Sequence, residues 1–487
     1  MNPPSEKQKD EDGQMPFWKK RRNLVAFLAF LGFFNLYALR VNLTVGIVAM
    51  TSSIDTRPGE FDWDSKLRGI VLSAFSYGYI TTQMVGGTLS TKFGGVKLMG
   101  CGMLMTACFT VLTPFAARYS VYLVIVFTVA VGVFQGIVYP SIHAVWSRWV
   151  PPAERTKLTS IAFSGKYASM IVGYPVCGWL AEKFGWTYVF YVPGSAAIIW
   201  SIVWLTYVGE SPAEDAYISE EEREHIASSI GPTGTVKKIG FLNYPWKCIF
   251  TSAPVWAINC AHFCDNWAAY TLLTQLPIYM NDILHFDIGK GSYLLALPYT
   301  TLTIIMQATG FLDFWIKQRQ MLTTTQIRKL FNSIAFLSRA VFLYLAAYST
   351  TKLESIIYLT LALGLGGFIS AGFIVNHLDI APQYASLLLG LSNTFGTVPG
   401  FVSPTLTGMI VQHKSTEEWK KVFLIASVVQ IFGAIFYVTF ASGEQQFWAN
   451  IGTEFNKSLE NQTEKNKSYH DSNIKEGKSY ENKIFEQ

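Results

Sequence analysis

The chain has 487 residues, of which 50% are hydrophobic and 15% are charged, and its formal net charge is +5. So much apolar and so little charged sequence excludes an ordinary soluble protein of this length and indicates a polytopic membrane protein. The positive charge is scattered over loops and tails without a basic, aromatic-rich face, so no nucleic acid partner is expected.

Apolar runs recur along the chain at the length needed to cross a bilayer, about 20 residues each. They predict an all-α membrane protein with about twelve transmembrane helices in two six-helix halves. The predicted spans of the first half are residues 24–50, 67–90, 96–117, 121–146, 158–181 and 186–208. Those of the second half are residues 252–280, 292–316, 330–349, 355–376, 386–412 and 421–441.

Basic residues beside the first span set the expected orientation. Lys19, Lys20, Arg21 and Arg22 precede it, and such residues are retained on the cytoplasmic side. Twelve spans then place both termini in the cytosol. The predicted domains are a cytosolic N-terminal tail (1–23), a six-helix bundle (24–208), a cytosolic connector (209–251), a second six-helix bundle (252–441) and a disordered cytosolic tail (442–487).

The polar connector carries the start and stop signals of a short helix. Ser219 and Glu222 have the spacing of a capping box, and Gly231 with Pro232 would end the helix. Two similar halves joined by such a connector suggest a transporter with its substrate site near the midplane between them.

Ionisable residues inside predicted spans are functional candidates, because the bilayer makes them costly. They are Arg40, His143, Lys166, His262, Asp265 and Arg339. Arg40 shares a helical stripe with Tyr37 and Thr44, and its fork of donors suits a carboxylate or a phosphate. The alternative is a structural ion pair, although the nearby spans offer no obvious acidic partner.

The fourth and fifth spans add polar side chains. One face of the fourth span carries Thr128, Gln135, Tyr139 and His143. This face either lines a cavity or packs against a neighbouring helix. Gly132 and Gly136 permit close helix contact. Lys166 of the fifth span either shares anion binding with Arg40 or sits neutral in an apolar environment.

The seventh span holds the main candidate for ion coupling. Asp265 is the carboxylate placed deepest in a span, so it is expected to bind a coupling cation or proton, the alternative being a salt bridge to Arg339. His262 and His143 are further coupling candidates. Apart from a sodium ion or proton in that role, no cofactor or metal is expected.

His377 and Asp379 in "NHLDIAPQYAS" are placed on a loop between two apolar runs. A turn that caps helix ends explains them better than a metal site. The sequence contains no phosphate-binding loop, zinc helix or nucleophile elbow, so an enzyme is not expected.

The loop after the second span resembles the signature loop of the major facilitator superfamily, Gly-x-x-x-Asp-Arg/Lys-x-Gly-x-Arg/Lys. Gly87, Lys92, Gly94 and Lys97 match it, while Thr91 stands at the acidic position. The corresponding loop of the second half keeps an aspartate, Asp313. These residues, with Asn376, His377 and Asp379, are assigned to gating or structure.

Five further segments, "YALRVNLTV", "YPSIHAVW", "SRWVPPAER", "NHLDIAP" and "FASGE", together resemble the anion transporters that include sialin, the vesicular glutamate transporters and the type I sodium phosphate cotransporters. The resemblance covers nearly all of residues 24–448. It implies the major facilitator fold, movement of anions by alternating access, and coordination of substrate by Arg40, which matches the family's first-span arginine.

The chain departs from these relatives at several positions. Many members carry an arginine and then a glutamate linked to proton coupling where this chain has Thr128 and Gln135. The vesicular glutamate transporters also have an arginine at Asp265 and a histidine at Leu72, which argues against glutamate as cargo. We expect Lys166 to supply the lost positive charge, and Asp265 or a histidine to replace the lost acid.

The sequence therefore predicts a secondary active transporter of a small organic anion or phosphate, coupled to a sodium, proton or voltage gradient. A second interpretation is a receptor-like or scaffold protein that kept the fold and lost transport. The membrane is either the plasma membrane or that of a vesicle or lysosome, and the oligomeric state is open. Substrate binding is assigned to Arg40, Tyr37, Thr44, Gln135, Tyr139 and Lys166.

Overall fold

The computed structural model describes residues 20–51, 60–63, 65–230, 244–283, 296–413 and 415–449. Its first group of helices is α1 (Arg21–Thr51), α2 (Ser65–Phe93), α3 (Gly95–Tyr119), α4 (Val121–Gly136), α5 (Val138–Trp149), α6 (Arg155–Lys183) and α7 (Trp186–Tyr207). Two short helices follow, α8 (Glu220–Ile230) and α9 (Trp246–Thr251). The second group is α10 (Ala253–Asp282), α11 (Ala296–Gln318), α12 (Thr324–Ala347), α13 (Lys352–Gly364), α14 (Phe373–Ile380), α15 (Ala385–Thr397), α16 (Pro399–Ile410) and α17 (Thr416–Phe440).

In the part of the chain that the structure describes, every predicted span coincides with one long helix or with two shorter helices in succession. Residues 292–295, the start of the predicted eighth span, lie outside that part. Within the described residues, eight helical stretches are long and apolar enough to cross a membrane, judged by length and composition. The other four long helices, α2, α6, α10 and α11, are more polar because Ser, Thr, Gly and charged side chains interrupt their apolar runs.

Three spans are broken near their middle or their end, and each break has a local cause. Ile137 separates α4 from α5 shortly before Pro140, and Val398 separates α15 from α16 directly before Pro399. A 3-10 segment, Leu365–Ala371, lies between α13 and α14. Proline removes a backbone donor and glycine loosens the helix, so interruptions occur there.

The prediction of a loop at "NHLDIAP" is wrong for its first residues, because they are helical as far as Ile380. His377 and Asp379 lie in α14, which continues the tenth span to Ile380. Their polarity suggested the end of the apolar run, but His377 is fully buried, the Asp379 side chain is only 6% exposed, and both have hydrogen-bond partners inside the protein. Internal pairing allows the helix to continue through residues that sequence polarity places outside it.

Close contact between α2 and α4 depends on the predicted pair of glycines. A Cβ added at Gly132 would collide with the carbonyl oxygen of Phe75, and one at Gly136 would lie 2.6 Å from that of Tyr79. The expected close helix contact at this Gly-x-x-x-Gly pair is therefore confirmed.

The connector helix α8 begins where the sequence predicts, and the Ser219 hydroxyl accepts a hydrogen bond from the Glu222 amide at 3.3 Å. The Glu222 carboxylate, however, accepts from the backbone amides of Arg21 and Arg22 and forms a 3.0 Å ion pair with the Arg22 guanidinium. Arg22 also pairs with Glu154 at 2.7 Å. The connector therefore holds the start of α1. Gly231 and Pro232, and the tail beyond residue 449, lie outside the described residues.

Candidate functional site

Arg40 is held by aromatic rings instead of a carboxylate. Its guanidinium carbon lies 4.7 to 4.9 Å from the ring centres of Tyr37, Phe75 and Tyr79, and its Nε donates to Gln135 Oε1 at 2.9 Å. The negative faces of aromatic rings attract a cation most strongly away from water. A cage of rings thus stabilises a charge that would otherwise be costly in an apolar helix.

The same guanidinium keeps an unused donor. Nη2 of Arg40 is buried without a hydrogen-bond partner, and among the described residues no carboxylate lies within ion-pair distance of it. Buried donors are almost always satisfied in native proteins. An unpaired donor on a half-buried cation is available to bind an anion.

A cavity of about 170 Å³ opens beside Arg40 within the first group, and Thr44, Leu72 and Thr128 line it. Asn42 also lines the cavity, and its side-chain amide is buried with neither polar atom hydrogen-bonded. The cavity therefore has apolar walls with a few convergent polar groups, as ligand sites do.

Two tyrosines and a lysine extend the site from Arg40 toward the second group. The hydroxyls of Tyr37 and Tyr139 lie 3.0 Å apart, and Tyr37 interacts electrostatically with both Arg40 and Lys166. Lys166 Nζ lies 4.5 Å from the centre of the Tyr167 ring. Within the described residues, Lys166 also has no carboxylate at ion-pair distance. Tyr37 and Tyr139 thus lie with the two cations, while Thr44, about two helix turns beyond Tyr37 on the same face of α1, lines the cavity.

Asp265 forms the ion pair that the sequence offered as the alternative to a coupling role. Its Oδ1 lies 2.5 Å from Arg339 Nη1, and Arg339 is buried and also donates to the Ala362 carbonyl at 3.3 Å. Asp265 is therefore paired within the second group, and among the described residues no ion pair joins it to Arg40 or Lys166. Its coupling role stays a prediction.

Three histidines that are far apart in sequence meet between the two groups. The Ser392 hydroxyl lies 2.8 Å from His377 Nε2 and 3.1 Å from His262 Nδ1. His143 comes from the first group, and its ring centre lies 5.5 Å from that of His377. Local periodicity contains no signal for this cluster, because its members lie on different spans.

Asp379 links the two groups at the end where α2 finishes and α6 starts. It pairs with Arg328 of its own group at 2.7 Å and with Arg155 of the first group at 3.4 Å. Arg328 also pairs with Asp313 at 3.3 Å, and Asp313 pairs with Lys317 at 2.9 Å. This buried network ties the groups together and closes that end of the bundle.

Comparison with known proteins agrees with the helix arrangement and the motifs. The family model described as Major Facilitator Superfamily matches residues 24–404. The chain is 41% identical to vesicular glutamate transporter 1 of Bos taurus over 442 residues, which cover 89% of this chain and 79% of that protein. It is 40% identical to vesicular glutamate transporter 2 of Homo sapiens, covering 89% of this chain and 76% of that one.

The chain belongs to the anion transporters of the major facilitator superfamily. Among solved structures, the proton:xylose symporter XylE matches with a TM-score of 0.66 over 88% of this chain and 98% of that one, at 14% identity. The Escherichia coli fucose:proton symporter FucP matches with a TM-score of 0.60 over 85% and 98%, also at 14% identity. These likenesses confirm the all-α major facilitator fold, and the protein is a secondary active transporter of small anions that works by alternating access.

In this transporter the signature loop mediates contact between the groups. A Cβ at Gly87 would lie 2.6 Å from the Ser386 carbonyl oxygen, and the Ser386 hydroxyl donates to the Gly87 carbonyl at 3.0 Å. Asn376 instead bonds within its own group, donating to the Tyr437 hydroxyl at 2.9 Å. Gly87 thus allows α2 and α15 to cross closely, whereas Asn376 supports the second group.

The rest of the loop fixes the start of α3. Gly94 has φ of +99°, a conformation that favours glycine, and the Glu210 carboxylate next to it accepts from the amide of Lys97 at 2.8 Å. Lys92 and Lys97 extend to the surface. Thr91, at the family's acidic position, bonds the Tyr244 hydroxyl at 2.6 Å.

Proposed function

We propose that this transporter binds its anion between Arg40 and Lys166, with Tyr37, Tyr139, Gln135 and Thr44 completing the site. The observation that carries the proposal is the half-buried Arg40 guanidinium, which has a buried, unpaired Nη2 and no carboxylate at ion-pair distance among the described residues. The closed end at Asp379 is the cytosolic end, and both termini lie on that side. The membrane is that of an intracellular vesicle, which the names of the relatives support.

The charges around the site favour an anion with up to two negative charges. Arg40 and Lys166 are both cations, and the nearest candidate counter-charge, Asp265, is already paired with Arg339. An anion that brought two charges would neutralise the site. Arginine can bind a carboxylate or phosphate through two donors, whereas lysine acts as a point charge.

The site also distinguishes among carboxylates. Glutamate, the cargo in the names of the relatives, carries an ammonium group besides its two carboxylates, and a buried ammonium requires acceptors or a counter-charge. Around Arg40 and Lys166, the described part of the chain offers tyrosine and glutamine oxygens but no unpaired carboxylate. We therefore expect glutarate, which lacks the ammonium, to bind at least as tightly as glutamate.

The test is uptake by proteoliposomes of labelled phosphate, glutamate, glutarate and sialic acid, with imposed proton, sodium and voltage gradients. Arg40→Ala should abolish uptake of the transported anion. Arg118→Ala is the matched control, because Arg118 is an exposed arginine paired with Glu60 and its loss should leave uptake intact. Equal uptake by wild type and Arg40→Ala would overturn the assigned site.

A further inference from the structure

We propose that His377 binds a proton during the transport cycle and that the Ser392 hydroxyl switches its hydrogen bond when the proton arrives. The proposal depends on the proposed function, because it names the coupling ion of the same transporter. It differs from the prediction made from sequence, which placed coupling at Asp265, His262 or His143 and assigned His377 to structure.

Hydrogen-bond partners fix where the hydrogens lie when His377 is neutral. Its Nδ1 lies 3.2 Å from the Ile374 carbonyl oxygen, which can only accept, so Nδ1 carries the hydrogen. Nε2 then has a lone pair, and Ser392 donates to it across 2.8 Å. His262 Nδ1, 3.1 Å from the same hydroxyl oxygen, donates to that oxygen.

The cluster also accommodates the protonated ring without leaving a polar group unpaired. When Nε2 gains a hydrogen, Ser392 accepts from it and must donate elsewhere. The Leu389 carbonyl oxygen lies 3.2 Å from the Ser392 hydroxyl and takes that hydrogen. Rotation of one hydroxyl therefore satisfies both protonation states of His377, which is unusual for a buried imidazole because an unpaired buried donor is costly.

His143 lacks this provision. Its Nε2 donates to the Ile374 carbonyl at 3.1 Å, while its Nδ1 is buried without a hydrogen-bond partner. A proton added at Nδ1 would find no acceptor. Of the two neighbouring histidines, His377 has a hydrogen-bond acceptor for an added proton and His143 does not, so His377 is the better proton-binding residue.

Proton access is linked to the movement of the two groups. His377 is fully buried, and His143 of the first group covers it edge-on and shares the Ile374 carbonyl with it. A proton can reach His377 only when the groups separate at this end. The elements packed against α14 bring His143, His262 and Tyr384 close to it, and Arg155 and Arg328 pair with Asp379, its own carboxylate. Two of these elements also carry Lys166 and Asp265, and Asp265 is paired with Arg339. Because Asp379 is held by both arginines, the described surroundings leave no unpaired carboxylate to fix a proton on the ring permanently.

The experiment uses proteoliposomes that contain the dye pyranine and receive a mixture of phosphate, glutamate, glutarate and sialic acid. Each anion is labelled in turn, and the readout is the number of protons moved per labelled anion. We expect this ratio to fall at least tenfold in His377→Gln and in Ser392→Ala. Ser392→Thr, which restores a hydroxyl, should return it to within about twofold of wild type, and the exposed His413→Gln is the control.

The outcomes separate the inference from the proposed function. No anion flux by folded wild-type protein would overturn both. Anion flux without proton movement, or an unchanged ratio in His377→Gln, would overturn the role of His377 alone. A ratio lost in His143→Gln but kept in His377→Gln would also contradict it. If His377→Gln fails to fold, the comparison of Ser392→Ala with Ser392→Thr still tests the proposal. Equal proton-to-anion ratios in these two variants would contradict it.

Discussion

Replacing Asp379 with asparagine should open the closed end of the transporter. The substitution keeps the size of the side chain and removes its charge, so Arg328 loses its 2.7 Å partner and Arg155 loses its 3.4 Å partner. Arg328 keeps its ion pair with Asp313, while the Arg155 side chain keeps its hydrogen bond to the Leu378 carbonyl among its described contacts. The first group is therefore held less firmly against the second.

The magnitude follows from the burial of this network. Removing one partner of a buried ion pair costs about 3–5 kcal/mol, because the remaining charge is left uncompensated. The contact between Arg155 and Asp379 is long, and Arg328 remains paired with Asp313, so we use the lower end of this range. A cost of about 3 kcal/mol corresponds to roughly a hundredfold increase in the population in which this end is open.

Labelling of a cysteine at the contact measures that population. Ser386 is buried against Gly87 of the first group, so a maleimide should label Ser386→Cys only when the groups separate. When opening is fast relative to labelling, the labelling rate follows the open population. We expect the labelling rate of Ser386→Cys to rise about a hundredfold when Asp379→Asn is added. Protein that keeps Ser386 measures the background labelling of the native cysteines.

The matched control is Glu417→Gln, which removes an ion pair with Lys420 at 2.6 Å on the surface. Exposed pairs contribute at most about 1 kcal/mol, so labelling of Ser386→Cys should barely change. Unchanged labelling in Asp379→Asn would show that the buried network does not hold this end closed, and the assignment of Asp379 as a link between the groups would be wrong.

Three other predictions concern separate parts of the molecule. Gln135→Glu places a carboxylate on Arg40, so the KM for anion uptake should rise about tenfold at neutral pH and recover on acidification; a pH-independent KM would contradict the cage as the anion site. Gly132→Val should lower the melting temperature by several degrees, because its added atoms collide with the backbone of α2, whereas Gly178→Ala, in open space, should not. The Arg118 side chain, through its hydrogen bond, holds the pKa of Glu60 below its usual range, so this contact stabilises the fold above pH about 4.3 and its contribution is lost as the pH falls through the lowered value. The melting temperature of Glu60→Gln should therefore lie below that of wild type at pH 7 and converge with it in acid, and a constant difference would refute the link.

The helices and Arg40 were predictable because they depend on local properties of the sequence. Apolar run length fixes the spans, and the cost of a charge in a bilayer singles out Arg40. The spacing of Tyr37 from Arg40 predicted that the two side chains share one face of the helix, and the structure adds the contact between the ring and the guanidinium. Phe75 and Tyr79 come from α2, and their contribution depends on helix packing that no local pattern records.

Long-range pairing explains what the sequence did not reveal. Arg155 and Asp379 are 224 positions apart and meet only because the two groups close at that end. Arg21 and Arg22 served as topology signals, yet their side chains pair with Asp215 and Glu222 of the connector. Polarity alone could not distinguish a residue held inside the protein from one exposed at a membrane surface.

The aromatic cage around Arg40 has an electrical consequence. Rings attract a cation without cancelling its charge, so an empty site keeps the charges of both Arg40 and Lys166, while a site loaded with a doubly charged anion is neutral. A membrane potential exerts about 2.3 kcal/mol per elementary charge for every 100 mV. At the proposed anion site the voltage would therefore act mainly on the return of the empty carrier, and a proton on His377 would add one charge to whichever step carries it.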